Sequence, residues 1–184
     1  LHWITFFGAI KVANASIALA MFSTGAFFAS ILEPIIYKRK LIIYEIVLRA
    51  QKNAIKSAVT GSNSSTVHNV ALTILIEGLK EIGLLSGSTE EIIENQSYKH
   101  LYMHRTGHWL GLDVHDVGAY RLGDYPVPLE EGMVLTVEPG LYVSDFLPVP
   151  KGQPSIEERW KGIGIRIEDD VLISIDGPEV LTSL

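Results

Sequence analysis

The sequence predicts an α+β domain, helices first and strands after them. Three observations predict it. Apolar residues recur at helical spacing between Leu41 and Ile82, the pattern changes to short strand-like runs beyond Tyr98, and glycines punctuate those runs. Helices and strands that occupy separate stretches of chain point to segregated layers rather than βαβ alternation.

The first helix is expected over Leu41–Val59, where Ile43, Val47, Ala50, Ala54 and Ala58 share a face and Gly61 supplies the stop. Ser62-Asn-Ser-Ser-Thr66 reads as a polar turn feeding a second helix. Its apolar face is Val67, Val70, Ala71, Ile74, Leu75, Leu79 and Ile82, and Gly83 ends it. A short third helix begins at Ser88, because Ser88 and Glu91 match a capping box. Further on, alternation puts Met133, Leu135 and Val137 on one face of a strand and Val134, Thr136 and Glu138 on the other. Pro139-Gly140 is expected to end that strand and leave the Glu138 carboxylate at its mouth. Ile163, Ile165 and Ile167 alternate with Gly164, Arg166 and Glu168, so Arg166 and Glu168 project from one face, with glycine leaving space beside them. Asp169-Asp170 then reads as a hairpin turn and Val171–Ser174 as the return strand.

Composition narrows the function. A chain of 184 residues, 47% hydrophobic and 20% charged, has enough apolar material for one compact domain. A net charge of −6 argues against a nucleic-acid surface and leaves small molecules and peptides as ligands. The absence of cysteine removes disulfides, thiolate ligands and a cysteine nucleophile, and fits a reducing, cytoplasmic location.

Residues 1–40 differ in composition from the rest. Val12 to Leu32 is uncharged and rich in Ala, Phe, Ile and Ser, and Lys38-Arg-Lys40 follows. Three readings stay open. One is a marginal membrane span over 12–32 with a basic flank; another is a divergent soluble start. The third is a frameshifted stretch, since one set of codons for Ile36-Tyr-Lys-Arg39, read one frame over, can give Phe-Thr-Lys-Glu, which resembles a polar linker.

The chemistry-bearing residues fall in three runs. His104, His108 and His115 lie in His104-Arg-Thr-Gly-His-Trp-Leu-Gly-Leu-Asp-Val-His-Asp-Val-Gly118; Glu138 lies in Glu131–Tyr142, and Arg166 and Glu168 in Gly162–Asp170. The first pair of histidines is not a zincin helix, because Arg105 stands where that motif needs Glu and Gly107 weakens a helix. Taken singly, each histidine reads as a hydrogen-bonded loop residue, and Arg166 with Glu168 as a surface ion pair. Asp116 is suitably spaced to orient His115, and neither it nor Asp113 is favoured as a metal ligand. Together, imidazole and carboxylate donors on neighbouring strands suit Mn, Zn or Co.

The three runs resemble the C-terminal catalytic half of the X-Pro aminopeptidases (aminopeptidase P), a branch of the pita-bread metallopeptidases, and the resemblance extends from Leu41 to Leu184. It implies a curved, mainly antiparallel sheet with helices on one side. It also implies His108, Glu138 and Glu168 as metal ligands, Glu168 bridging two ions with Mn favoured, and Glu138 handling the proton of the attacking water. His104 and His115 would line the substrate side and Arg166 would sit beside the metals. The substrate implied is a peptide with proline second, and a homo-oligomer is compatible with the pattern. The family's two further ligands are aspartates upstream, yet no aspartate precedes Asp113. That departure leads to the expectation that the chain alone is inactive, and keeps a non-catalytic pita-bread module that binds peptides or proteins as the rival. Prolidase and methionine aminopeptidase match the run His104–Gly118 less well.

Overall fold

A computed structural model describes residues 38–146 and 148–182. By contacts the chain divides into two units, Leu1–Leu41 and Ile42–Leu184. The second unit carries all the described strands and all the chemistry-bearing residues. The segment 12–32 lies outside the described residues. Among those described, no helix is long and apolar enough to cross a membrane.

Helix α1 runs Lys38–Ser57 and α2 runs Ser64–Glu81. Both predicted faces are inside: Ile43, Val47, Ala50, Ala54 and Ala58 are fully buried, as are Ala71 and Leu75. The α2 face is broader than its spacing suggests, since Leu72 and Ile76 are buried too, while Val70 and Ile74 are only half-buried. Gly78 is part of the reason helices can sit close here: a Cβ would fall 2.6 Å from Ile46 Cγ2. The turn before α2 is shorter than expected. Asn63 is its N-cap, and the side-chain oxygen accepts from the Ser65 and Thr66 amides at 3.0 Å each. Helix α3, Thr89–Glu94, starts with the predicted capping box, Ser88 and Glu91 each bonding the other's amide.

Seven short strands follow among the described residues: β1 Arg121–Leu122, β2 Tyr125–Pro126, β3 Val134–Val137, β4 Gly140–Val143, β5 Ile163–Arg166, β6 Asp169–Ser174 and β7 Gly177–Val180. All pairings are antiparallel, in the orders β1-β2, β3-β6-β7 and β4-β5. Pro139-Gly140 ends the strand as expected: β3 stops at Val137 and the chain resumes as a separate strand, β4, at Gly140. One expectation is corrected. Asp169-Asp170 is not a hairpin turn, because both residues open β6, paired with Val137 and Thr136. That turn signal is local, whereas the pairing is set by partners distant in sequence.

The two ladders share one register. Val137 faces Asp169 in the first and Gly140 faces Arg166 in the second. Counting inward from both sides puts Glu138 opposite Glu168 and Pro139 opposite Ile167, where the Ile167 amide still reaches the Pro139 carbonyl at 3.3 Å. A single long antiparallel pair therefore opens at the two glutamates. Pro139 cannot donate to a ladder, and two carboxylates placed directly opposite repel, so the opening has a local cause.

Candidate metal centre

Strand β3 has a second neighbour on its other edge. The segment 106–110 runs antiparallel to it, with Leu110 N bonding Val134 O at 3.1 Å, Thr136 N bonding His108 O at 2.9 Å and Glu138 N bonding Thr106 O at 2.6 Å. Gly107 makes this approach feasible, because a Cβ there would sit 1.9 Å from the Thr136 carbonyl oxygen. The histidine run is thereby laid along the strand that ends in Glu138.

His108 and Glu138 meet across this seam, Nε2 to Oε1 at 3.4 Å. The other ring nitrogen, Nδ1, lies 3.0 Å from the Trp109 carbonyl, which can only accept; Nδ1 therefore carries a proton, and Nε2 is the nitrogen turned to Glu138. Donor atoms of His108, Glu138 and Glu168 all lie within 4.8 Å of one another. Two ligand atoms about 2.1 Å from a shared ion stand roughly 3.0–3.4 Å apart in octahedral or tetrahedral geometry. The His108–Glu138 separation matches that better than a hydrogen bond. One imidazole and two carboxylates, one of them buried, suit a divalent first-row ion, and three donors suffice to hold one such ion.

Glu138 is 8% exposed and its charge is compensated. Arg166 Nη1 approaches its Oε2 at 3.1 Å, and the Thr136 hydroxyl donates to its Oε1 at 3.2 Å. Arg166 and Glu168 do share the face opposite Ile163, Ile165 and Ile167, as alternation predicts, although Glu168 lies in the link between β5 and β6. Burial works against the Arg166 charge, but the Tyr142 hydrogen bond and the Glu138 and Glu168 carboxylates outweigh it and raise its pKa.

His104 lies on the far side of Arg166. Its Nδ1 donates to the Arg105 carbonyl at 2.7 Å, leaving Nε2 to accept from the Tyr142 hydroxyl at 3.0 Å, with Arg166 Nη2 at 3.3 Å. Arg166 Nε donates in turn to the Tyr142 oxygen at 2.7 Å. His115 is exposed, and its ring meets that of His108 edge-on at 4.1 Å between centroids. All six residues singled out from the sequence thus form one connected group. Asp116 behaves differently from expectation: its carboxylate accepts from the Leu112 and Val117 amides at 3.0 and 2.7 Å, closing the loop instead of orienting His115. Asp113 is not in the donor cluster.

Four contributors escape the sequence reading. Tyr142 links His104 to Arg166, and Thr136 links His108 to Glu138. Thr106 carries the carbonyl that holds the Glu138 amide. His68, on α2, accepts from the Thr106 amide at 3.3 Å through Nδ1, which also lies 2.9 Å from the Thr106 hydroxyl. Desolvation, aided by the charges of Arg105 and His104, lowers the His68 pKa from 6.5 to about 4, so the ring is neutral. Parity is an available signal for two of them, since Thr136, Glu138 and Tyr142 alternate in step. His68 has none.

The model of metallopeptidase family M24 matches residues 27–174. The chain belongs to that family. It is 46% identical over 141 residues to Xaa-Pro aminopeptidase from Haemophilus influenzae, covering 77% of this chain and 31% of the relative. Among solved structures, aminopeptidase PepP from Pseudomonas aeruginosa is similar with a TM-score of 0.69 at 44% identity, over 77% of this chain and 30% of that one. Aminopeptidase P from Escherichia coli, solved with the inhibitor Pro-Leu, gives a TM-score of 0.69 at 42% identity, over 78% and 31%. The M24 chain therefore spans about a third of the length of these relatives. Its fold is accordingly α+β, part of the pita-bread architecture, and its family is one of metal-dependent peptidases.

Proposed function

We propose that residues 41–184 form the C-terminal part of an X-Pro aminopeptidase site, with His108, Glu138 and Glu168 as ligands of a divalent ion, Mn²⁺ being the favoured one. The observation that carries this is the convergence of three donors where the long ladder opens, beside Arg166. The division of contacts after Leu41 supports treating the preceding residues separately.

In this reading a bound divalent ion polarises the scissile carbonyl and lowers the pKa of a water molecule. The protein's own residues do the rest. Glu138, held through Oε2 by Arg166 and through Oε1 by Thr136, is poised to take the proton of the attacking water. His104, oriented by its Nδ1 bond to the Arg105 carbonyl, offers with Tyr142 an imidazole and a hydroxyl toward the substrate side. His115, exposed beside His108, flanks the same opening and serves the developing oxyanion. The substrate is a peptide with proline second, whose imino bond lacks N–H and has fixed geometry. A cytoplasmic location accompanies this reading.

Three ligands hold one ion, so the 184-residue chain by itself turns over X-Pro peptides near background. A loss of roughly 10²–10³ per missing stabilising group accounts for it. The second reading is a pita-bread module that binds peptides or proteins without cleaving them. One experiment separates them. Release of the first residue from an Xaa-Pro peptide is followed with added Mn²⁺ for this chain, for a chain extended upstream by two strand-borne aspartates, and for the extended chain with Glu168→Ala. Turnover only in the extended chain, abolished by Glu168→Ala, is the expected result. No turnover in either supports the binding module, and strong turnover by the original chain overturns the ligand assignment.

A further inference from the structure

We propose that Thr136 is the positioning residue of the centre, its hydroxyl setting the separation of His108 and Glu138 before any ion arrives. This rests on the reading of those two residues as ligands. The hydroxyl has one proton and two lone pairs, and both capacities are used. It accepts from the His108 amide at 3.0 Å and donates to Glu138 Oε1 at 3.2 Å. The same Oε1 is the atom that faces His108 Nε2. One oxygen atom therefore touches both ligand residues, one at the backbone and one at the carboxylate.

The rest of Thr136 tightens this arrangement. Its amide bonds the His108 carbonyl at 2.9 Å, so His108 is gripped at both backbone groups by one residue. Its carbonyl occupies the space left by the missing side chain of Gly107, and its own exposure is 2%. Branching at Cβ restricts χ1 of a strand threonine, and both hydrogen bonds of the hydroxyl hold it in the observed rotamer. Valine would keep the shape while leaving the His108 amide and one Glu138 oxygen without this partner. Groups that orient metal ligands in this way are worth about 10–100-fold in affinity.

The test uses the full chain with Thr136→Val, Thr136→Ser and Glu168→Ala variants, Co²⁺ as the probe, and amide hydrogen exchange at His108 on the metal-free protein. The expected outcome is that Thr136→Val binds Co²⁺ about 10-fold more weakly and shifts its visible bands. The same variant speeds exchange at the His108 amide, whereas Thr136→Ser stays within about threefold of wild type in both readouts. Equal losses in the valine and serine variants would mean that side-chain volume matters and the hydroxyl does not, which overturns the proposal. Unchanged Co²⁺ affinity in Thr136→Val overturns it as well. If Glu168→Ala leaves Co²⁺ binding untouched, the metal reading has failed on its own, and the amide exchange decides the positioning role: faster in valine and restored in serine upholds it, unchanged refutes it.

Discussion

Acid should loosen this domain through one histidine. His68 sits on α2 with Nδ1 turned to the Thr106 amide and hydroxyl, an arrangement that needs an unprotonated nitrogen. Its pKa falls from 6.5 in the unfolded chain to about 4 in the fold, first by burial and then by the nearby charges of Arg105 and His104. A base with a depressed folded pKa contributes stability that is full above 6.5 and is lost as pH drops toward 4. The complete gap is worth about 3 kcal/mol, and about 2 kcal/mol of it is gone by pH ~5. Set against a typical domain stability of roughly 5–15 kcal/mol, that loss is easily measured. Urea unfolding at about pH 8 and about pH 5, for wild type and for His68→Asn, isolates the effect. Asparagine can place a carbonyl acceptor near the Nδ1 position and does not titrate. Wild type should lose about 2 kcal/mol more than the variant between the two conditions. Burial also lowers the pKa of His100, but that group titrates in both proteins and cancels. Equal losses in the two proteins would refute the assignment of His68 as the acid-sensitive group.

Other substitutions act through particular contacts. Gly107→Ala drives a methyl to within 1.9 Å of the Thr136 carbonyl, and thermal unfolding should show a loss of more than about 3 kcal/mol as the histidine run is pushed off β3. Gln51→Leu removes the amide that bonds Asp169, next to Glu168, while Thr182 keeps the other carboxylate oxygen at 2.7 Å; denaturant unfolding should show a cost of about 1–3 kcal/mol. Ser88→Ala breaks the capping box of α3 and should cost about 1 kcal/mol in the same assay, without altering Co²⁺ affinity.

Much of this arrangement is legible in the chain, and the failures share a cause. Periodicity alone finds the inward faces of α1 and α2, because a buried helical stripe repeats within a few residues. Alternation puts Arg166 and Glu168 on one face for the same reason. The functional grouping comes from likeness to aminopeptidase P, since nothing in local spacing joins His104 to Arg166; Tyr142 joins them in space. His68 and Thr106 stay silent because they touch backbone and each other, and no short pattern records a contact between α2 and a distant loop. Pro139-Gly140 ends β3 as its turn chemistry predicts, whereas Asp169-Asp170 carries a turn signal and instead opens β6. Both lie at the gap where one antiparallel ladder parts and then resumes in register. Glu138 and Glu168 face each other across that gap, where neutral ladder residues would have closed it. On the metal reading proposed above, a divalent ion would turn their repulsion into shared ligation, and the gap in the ladder is where it would sit.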